Sequence, residues 1–270
     1  MTFIRRALVI AAALPLVGCF ESSTVIKLKA DGSGTIEQRL LLTDAAMDQM
    51  RAFAILGGGD ASSADPTSEA QARALADTLG PGVSFVSSAP VKTAKAQGRE
   101  SIYAFTDITK VHVSEQPRLP AGPVSPGGSA NVGEITFTLT RQPDGNALLR
   151  MQVPKLDILP MDASGPPGSI VGPTVQQIEM IKGILAGAHL TVAIEPDGQV
   201  VQTNAPFVDG NRVTLVDLDV DQAAADPDLA TKLRAPKTAD DLKAAVKSIP
   251  GLKITLDPEI SITFTPATQK

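Results

Sequence analysis

The sequence is poor in the residues from which most recognisable sites are built. Its 270 residues include one cysteine, one tyrosine, two histidines and no tryptophan. A single cysteine excludes an intrachain disulfide framework and any multi-cysteine metal site. The scarcity of Trp and Tyr speaks against an aromatic platform for carbohydrate or an aromatic cage for a cation. No phosphate loop, nucleotide fingerprint or Cys/His cluster is present. After the N-terminus, the apolar stretches are short and interrupted, whereas a membrane-spanning helix needs roughly 20 apolar residues. No cofactor and no metal are expected.

What is present begins at the N-terminus. Arg5 and Arg6 precede an apolar run from Ala7 to Leu16, broken only by Pro15. A short basic start followed by such a run has the n-region and h-region of a secretory signal. The context Ile4-Arg5-Arg6-Ala7 lacks the fuller twin-arginine pattern, which favours the general secretory route. The run closes on Leu16-Val17-Gly18-Cys19, and Cys19 is the only cysteine in the chain. This resembles the lipobox of bacterial prolipoproteins. The resemblance implies removal of residues 1–18, thioether diacylation of Cys19 and acylation of the new amino group. The membrane is then a partner through the diacylglyceryl and acyl chains. Each buried CH₂ contributes about 0.8 kcal/mol, so two or more chains hold where one is marginal. Phe20 stands where enterobacterial lipoproteins retained in the inner membrane commonly carry Asp. The resemblance therefore favours the periplasmic face of an outer membrane in a cell that has one.

Loss of Arg5 and Arg6 from the 24 basic side chains leaves 22 against 29 acidic ones, a formal charge of −7. That balance argues against nucleic acid as a partner and against general electrostatic docking on anionic lipid. Residues 19–23 form the lipidated Cys and a short tether, so the domain sits close to the headgroups. Residues 24–270 read as a single mature domain, with a possible subdivision near 117–133, where a Pro/Gly/Ser-rich stretch is long for a compact domain.

Along the domain, β-type runs flank Asp31-Gly32 and again Pro143-Asp144-Gly145-Asn146, each the pattern of a hairpin. In the second, Ile135, Phe137 and Leu139 share one face. Thr43-Asp44 opens a helix from Ala45 to about Leu56, and Pro66 starts another over Thr67 to Leu79. Val83 to Ser88 and Glu100 to Phe105 read as strands. A helix follows Thr174, with Val175, Ile178, Ile181 and Leu185 as its inner stripe. Leu190 to Ile194, Val200 to Thr203 and Arg212 to Leu218, separated by Asp-Gly turns, predict a three-strand meander. Asp226-Pro227 starts a short helix, Thr238-x-x-Asp241 is a capping box for another, and Leu252 to Leu256 and Ile260 to Phe264 are the last strands. The Asp-Gly turns recur at irregular spacing, which excludes a solenoid. Hairpins and a meander mixed with helices give an α+β fold, an antiparallel twisted sheet with several helices on one face.

Residues 192–215, VAIEPDGQVVQTNAPFVDGNRVTL, place a strand, a Pro-Gly turn, an Asn and a Gly-x-x-Val-Thr strand in succession. Together with the opening hairpin VIKLKADGSGT of residues 25–35, this is similar to LppM-like lipoprotein domains. The resemblance covers under a fifth of the chain. Leu215 stands where that family commonly has Trp, and no C-terminal membrane helix follows. It implies an α+β lipoprotein domain that holds lipid, and it transfers no functional residue.

Asp217, Asp219, Asp221 and Asp228 have the spacing of positions one, three, five and twelve of a calcium loop. Gln222 replaces the glycine of the sharp turn and Ala225 offers no ligand oxygen. A solvated strand face carrying the first three Asp, followed by a helix cap, is the preferred reading. Asp31-Gly32-Ser33-Gly34-Thr35 is a turn and not half of an aspartic-protease dyad. Ser33 and Ser169 lie in no Gly-x-Ser-x-Gly elbow. His112, on a Val111-His112-Val113 strand, and His189, at a helix end, are the two residues on which a Ser-His-Asp site would have to be built. The apolar residues of the loop 157–173 form either the mouth of a lipid cavity or a cover over the core. The sequence therefore predicts a non-enzymatic envelope lipoprotein that binds a lipid or other apolar envelope component. The alternative is a structural or interaction accessory of envelope assembly with a protein partner.

Overall fold

The computed structural model describes residues 20–48, 51, 65–114, 134–153 and 173–267. The expected loop at 117–133, the loop at 157–173 except Pro173, the end of the first predicted helix and Cys19 itself lie outside these residues.

Alternation of apolar and polar residues builds the strands. β1 (Phe20–Leu28) buries Ile26 and Leu28 while Lys27 between them stays exposed. It turns through Asp31 and Gly32 into β2 (Gly34–Thr43). Residues 44–48 are helical, with the Thr43 hydroxyl accepting from the Ala46 N–H at 3.3 Å. The next helix, α1 (Glu69–Ala76), starts later than Pro66 predicts. Its N-cap is Ser68, whose hydroxyl accepts from the Gln71 N–H, whereas Thr67 is held in a turn by the Asp65 carboxylate. β3 (Val83–Lys92) and β4 (Ala96–Phe105) form a hairpin longer than the sequence pattern indicates. α1 lies on it: the Tyr103 hydroxyl donates to the Ala72 carbonyl at 2.9 Å, and the Arg73 guanidinium stands 4.4 Å over the Phe85 ring.

After a short β5 (Val113–Ser114), β6 (Glu134–Arg141) and β7 (Ala147–Gln152) form the expected second hairpin. Ile135 and Phe137 are buried and Leu139 packs against them, as their shared face requires. α2 (Val175–Ile184) begins with a capping box between Thr174 and Gln177. Its predicted stripe is only partly inward: Ile178 is buried, but Val175 is 47% exposed because it occupies the first turn.

The meander is replaced by a different arrangement. β8 (His189–Pro196) pairs in parallel with β1 and antiparallel with β11 (Arg212–Asp219). β9 (Gly198–Thr203) instead leaves that sheet and pairs with β13 (Glu259–Pro266), while β10 (Val208–Asp209) is a two-residue partner of β11. The crossing occurs at one residue. Asp197 donates its N–H to Leu28 in the first sheet and accepts at its carbonyl from Ala267, beside the second. Gly198 there has φ +151, and a Cβ would lie 2.0 Å from the Thr265 carbonyl. A glycine at such a corner leaves the same trace in sequence as a glycine in a hairpin, which is why local pattern misassigns it.

The chain then forms α3 (Val220–Ala224), α4 (Leu229–Arg234) and α5 (Ala239–Ser248), followed by β12 (Leu252–Ile254) on β11. α5 has the predicted capping box between Thr238 and Asp241. The result is an α+β fold of mostly antiparallel strands. One sheet has eight strands, in the order β10-β11-β8-β1-β2-β4-β3 with β12 also on β11; the other has five, β5-β6-β7-β13-β9. Ile26, Leu28, Ile36, Tyr103, Val192 and Ile194 of the first sheet join Phe137, Leu149, Met151, Ile262 and Phe264 of the second in one continuous core. Leu229 and Leu233 of α4 and Leu242 and Val246 of α5 extend it.

Gly198→Ala should destabilise the protein by about 3 kcal/mol, because the added methyl meets backbone and not a movable side chain. A thermal melt should show Tm roughly 6–12 °C lower. An unchanged Tm would mean that the corner relaxes freely.

Candidate functional site

The two ends of the large sheet differ in chemistry. At one end, strand β1 starts at Phe20, the residue that follows Cys19 in sequence. Residues 20–23, predicted to be a tether, are therefore strand. They pair on one side with Leu42 to Arg39 of β2, and Glu21 to Ser23 pair on the other with His189 to Thr191 of β8. Chain this well paired on both sides satisfies its backbone groups as sheet and not as linker. Phe20 packs on a small apolar cluster of Leu42, Ala46 and Met47. Arg39 lies between Glu21 and Glu100, at 3.7 and 3.8 Å. No helix among the described residues is long and apolar enough to cross a membrane.

At the other end, β1 and β2 turn beside the end of β8, and a groove opens there. At about 560 Å³, it is lined by Lys27, Lys29, Thr35, Glu195, Asp197 and Asn211, among others. Along β1 it lies about 26 Å from Phe20, at roughly 3.3 Å per residue. Its floor depends on Gly34, where a Cβ would lie 2.0 Å from the Lys27 carbonyl and 2.6 Å from the Phe105 ring. Lys27 is paired with Glu37 at 2.6 Å, and that hydrogen bond raises the lysine above its ordinary pKa. Glu195 is held by Arg212 at 2.7 Å, and the Asn211 amide donates to the Pro196 carbonyl at 3.0 Å. Lys29 and Asp197 make no ion pair or side-chain hydrogen bond within the described residues, so both are open to a ligand. The groove sets the charged Lys29 and Asp197 beside the apolar Ala104, Phe105 and Pro196, and an acyl chain laid over the charged pair would strip water from it without replacing it.

No local sequence signal marks this groove. Lys27 and Glu195 are 168 positions apart and meet only through the parallel register that sets Lys27 opposite Glu195.

The acidic cluster that suggests a calcium loop is dispersed. Asp217, in strand β11, accepts from His189 Nε2 and from Lys253 Nζ, both at 3.0 Å, and from the Thr191 hydroxyl at 3.4 Å. Asp219 is the N-cap of α3, and Asp221, in that helix, accepts from the Gly187 N–H at 2.7 Å. The strand face predicted to carry all three ends at Asp219, because the cap starts a helix that sequence reasoning missed. Asp228 stands at the N-cap position of α4. No group of three or more His, Cys, Asp and Glu side chains converges on a metal-sized site among the described residues.

His112 follows a short 3₁₀ turn and does not lie in a strand; its Nδ1 is 2.6 Å from Glu134. His189 starts β8. The two histidines thus each face a carboxylate, but the hydroxyl in the His189 cluster, Thr191, is bonded to the carboxylate and not to the imidazole. Asp31 and Ser33 are a turn: the Asp31 carboxylate accepts both the Ser33 N–H and its hydroxyl.

No known protein family matches the chain. No curated protein matches it either. Among solved structures, the folded domain of the Mycobacterium tuberculosis LppM protein, determined by NMR, aligns over 92% of this chain and 91% of that one, at 8% identity and a TM-score of 0.32.

Burial alone would push the Asp217 carboxyl up. The hydrogen bonds from His189 and Lys253, with the Lys253 charge, outweigh it and hold the group below its ordinary value of 3.8. A carboxyl lowered in the folded state stabilises the fold above its unfolded pKa and loses that contribution as pH falls through the folded one. Asp217→Asn should therefore be less stable than wild type in urea at pH 7, with the gap closing as pH falls below the ordinary carboxyl value of 3.8. A gap independent of pH would remove the ionic role of Asp217.

Proposed function

We propose that this chain is a lipid-anchored protein of the bacterial envelope, and that its domain is a non-catalytic interaction module. The signal of residues 1–18 is removed and Cys19 carries the lipid. The observation that carries this reading is β1 itself: it begins on the residue after Cys19 and runs to the groove at the far end of the sheet. The anchor is thereby joined to the strand that lines the groove, and the groove points away from the bilayer. Its open ammonium and carboxylate, Lys29 and Asp197, suit a polar or zwitterionic envelope component. Of the two roles the sequence leaves standing, this favours the interaction accessory over the lipid holder. Phe20 in place of Asp supports the periplasmic face of an outer membrane in a cell that has one.

Membrane fractionation and mass spectrometry test the anchor. The wild-type N-terminal peptide should begin at Cys19 and carry a diacylglyceryl mass, and Cys19→Ala should move from the membrane pellet to the soluble fraction. A variant that still pellets and resists a salt wash would defeat the assignment.

The same soluble variant tests the role. Native mass spectrometry after detergent-free purification and incubation with envelope lipids should return a clean apo mass. A stoichiometric increment that extracts into organic solvent would replace the interaction role with lipid holding.

A further inference from the structure

We infer that the tip of the β3–β4 hairpin, residues 92–95, rests on anionic lipid headgroups and sets the tilt of the anchored domain; this builds on the reading of Cys19 as the lipid attachment. The register places the tip at the anchor level. Phe20 is opposite Leu42, Leu42 is opposite Gln97, and Gln97 is opposite Lys92. Three inter-strand steps of about 4.8 Å put Lys92 roughly 14 Å from Phe20 across the sheet. Lys95 lies one turn beyond it, on the side past the strand ends.

All four tip residues, Lys92, Thr93, Ala94 and Lys95, are exposed. The tip is nonetheless ordered: the Thr93 hydroxyl accepts from the Lys95 and Ala96 N–H groups at 3.3 and 3.0 Å, and the Thr93 N–H donates to the Ala96 carbonyl at 2.8 Å. Neither lysine forms an ion pair among the described residues. Among the described residues at this end, Glu21 and Glu100 share Arg39 at 3.7 and 3.8 Å and Asp48 is paired with Arg51 at 3.2 Å, while Asp44, Asp219 and Asp221 accept from the neutral Gln97 amide and backbone N–H groups and keep their charge. The tip itself carries two exposed cations in no ion pair, at the level where the proposed anchor enters the bilayer. Each lysine near an anionic surface shifts a binding population about fivefold. Two are too few to attach the protein, but they bias the tilt of a domain already held by lipid.

The test uses the lipidated chain with Ala94→Cys or Asp209→Cys, extracted from membranes and labelled with a fluorophore. Acylation blocks Cys19, so only the new thiol reacts. Asp209, exposed at the groove end, is the far reference. The protein is placed in vesicles of phosphatidylcholine, with or without phosphatidylglycerol, that contain a headgroup-linked quencher. The label at 94 should be quenched strongly on phosphatidylglycerol vesicles and the label at 209 weakly. Lys92→Glu with Lys95→Glu should cut quenching at 94 at least about fivefold on those vesicles, with vesicle attachment unchanged. Equal quenching at 94 and 209, or quenching at 94 that ignores the charge reversal, in protein that stays attached, overturns the hairpin contact alone. Protein that leaves the vesicles and bears no lipid mass on Cys19 overturns the anchor reading and the contact together.

Discussion

β1 and β8 pair in parallel from Glu21 opposite His189 to Leu28 opposite Pro196, and the rest of the architecture hangs on that ladder. Without it the large sheet falls into two pieces, β1-β2-β4-β3 on one side and β8 with β11, β10 and β12 on the other. The five-stranded sheet is tied in as well, because β9 continues from β8 through the Asp197–Gly198 corner. Parallel neighbours cannot be joined by a tight turn, so this pairing closes a loop of more than 150 residues, from the end of β1 to the start of β8. The closure cost grows only with the logarithm of loop length. It is met by inward burial at the ladder, where Ile26, Leu28, Val192 and Ile194 are all within 2% of full burial and each contributes about 1.5–3 kcal/mol.

Features that depend on neighbours in sequence were readable in advance. The hairpin turns at Asp31-Gly32 and Asp144-Gly145, the helix after Thr174, the capping box at Thr238, and the inward face of Ile135 and Phe137 follow from turn chemistry and period. The fold class follows from the same features. Partner choice between strands was not readable. Val200 to Thr203 has the pattern of a strand, and nothing in its own residues says that its partner is β13 and not β8. The end of β11 shows a second limit. Alternation of Asp217, Leu218, Asp219 and Val220 extrapolates a strand, but Asp219 caps α3 and stops it. A side chain that accepts from the N–H three residues ahead overrides the period.

The candidate site divides along the same line. The lipidation proposed for Cys19 rests on a local signal, a short linear motif in the sequence alone. The groove was illegible because Lys27 and Lys29 come from one edge of the parallel ladder and Glu195 and Asp197 from the other. A resemblance built on turn motifs carries no information about such a place.

The ladder also bears on what an anchor at Cys19 does mechanically. A flexible tether of n residues reaches roughly 5–6 Å times the square root of n and leaves its domain free to tumble. Here residues 20–23 are paired on β1, so the described chain holds no free segment between the position after Cys19 and the centre of the sheet. Under the proposed anchoring, the reach of the groove from Phe20 is the length of β1, about 26 Å, whatever the tilt of the domain. The proposed interaction role thus rests on one chemical feature, the open charged pair Lys29 and Asp197, and on one geometric feature, a groove that β1 carries about 26 Å from Phe20.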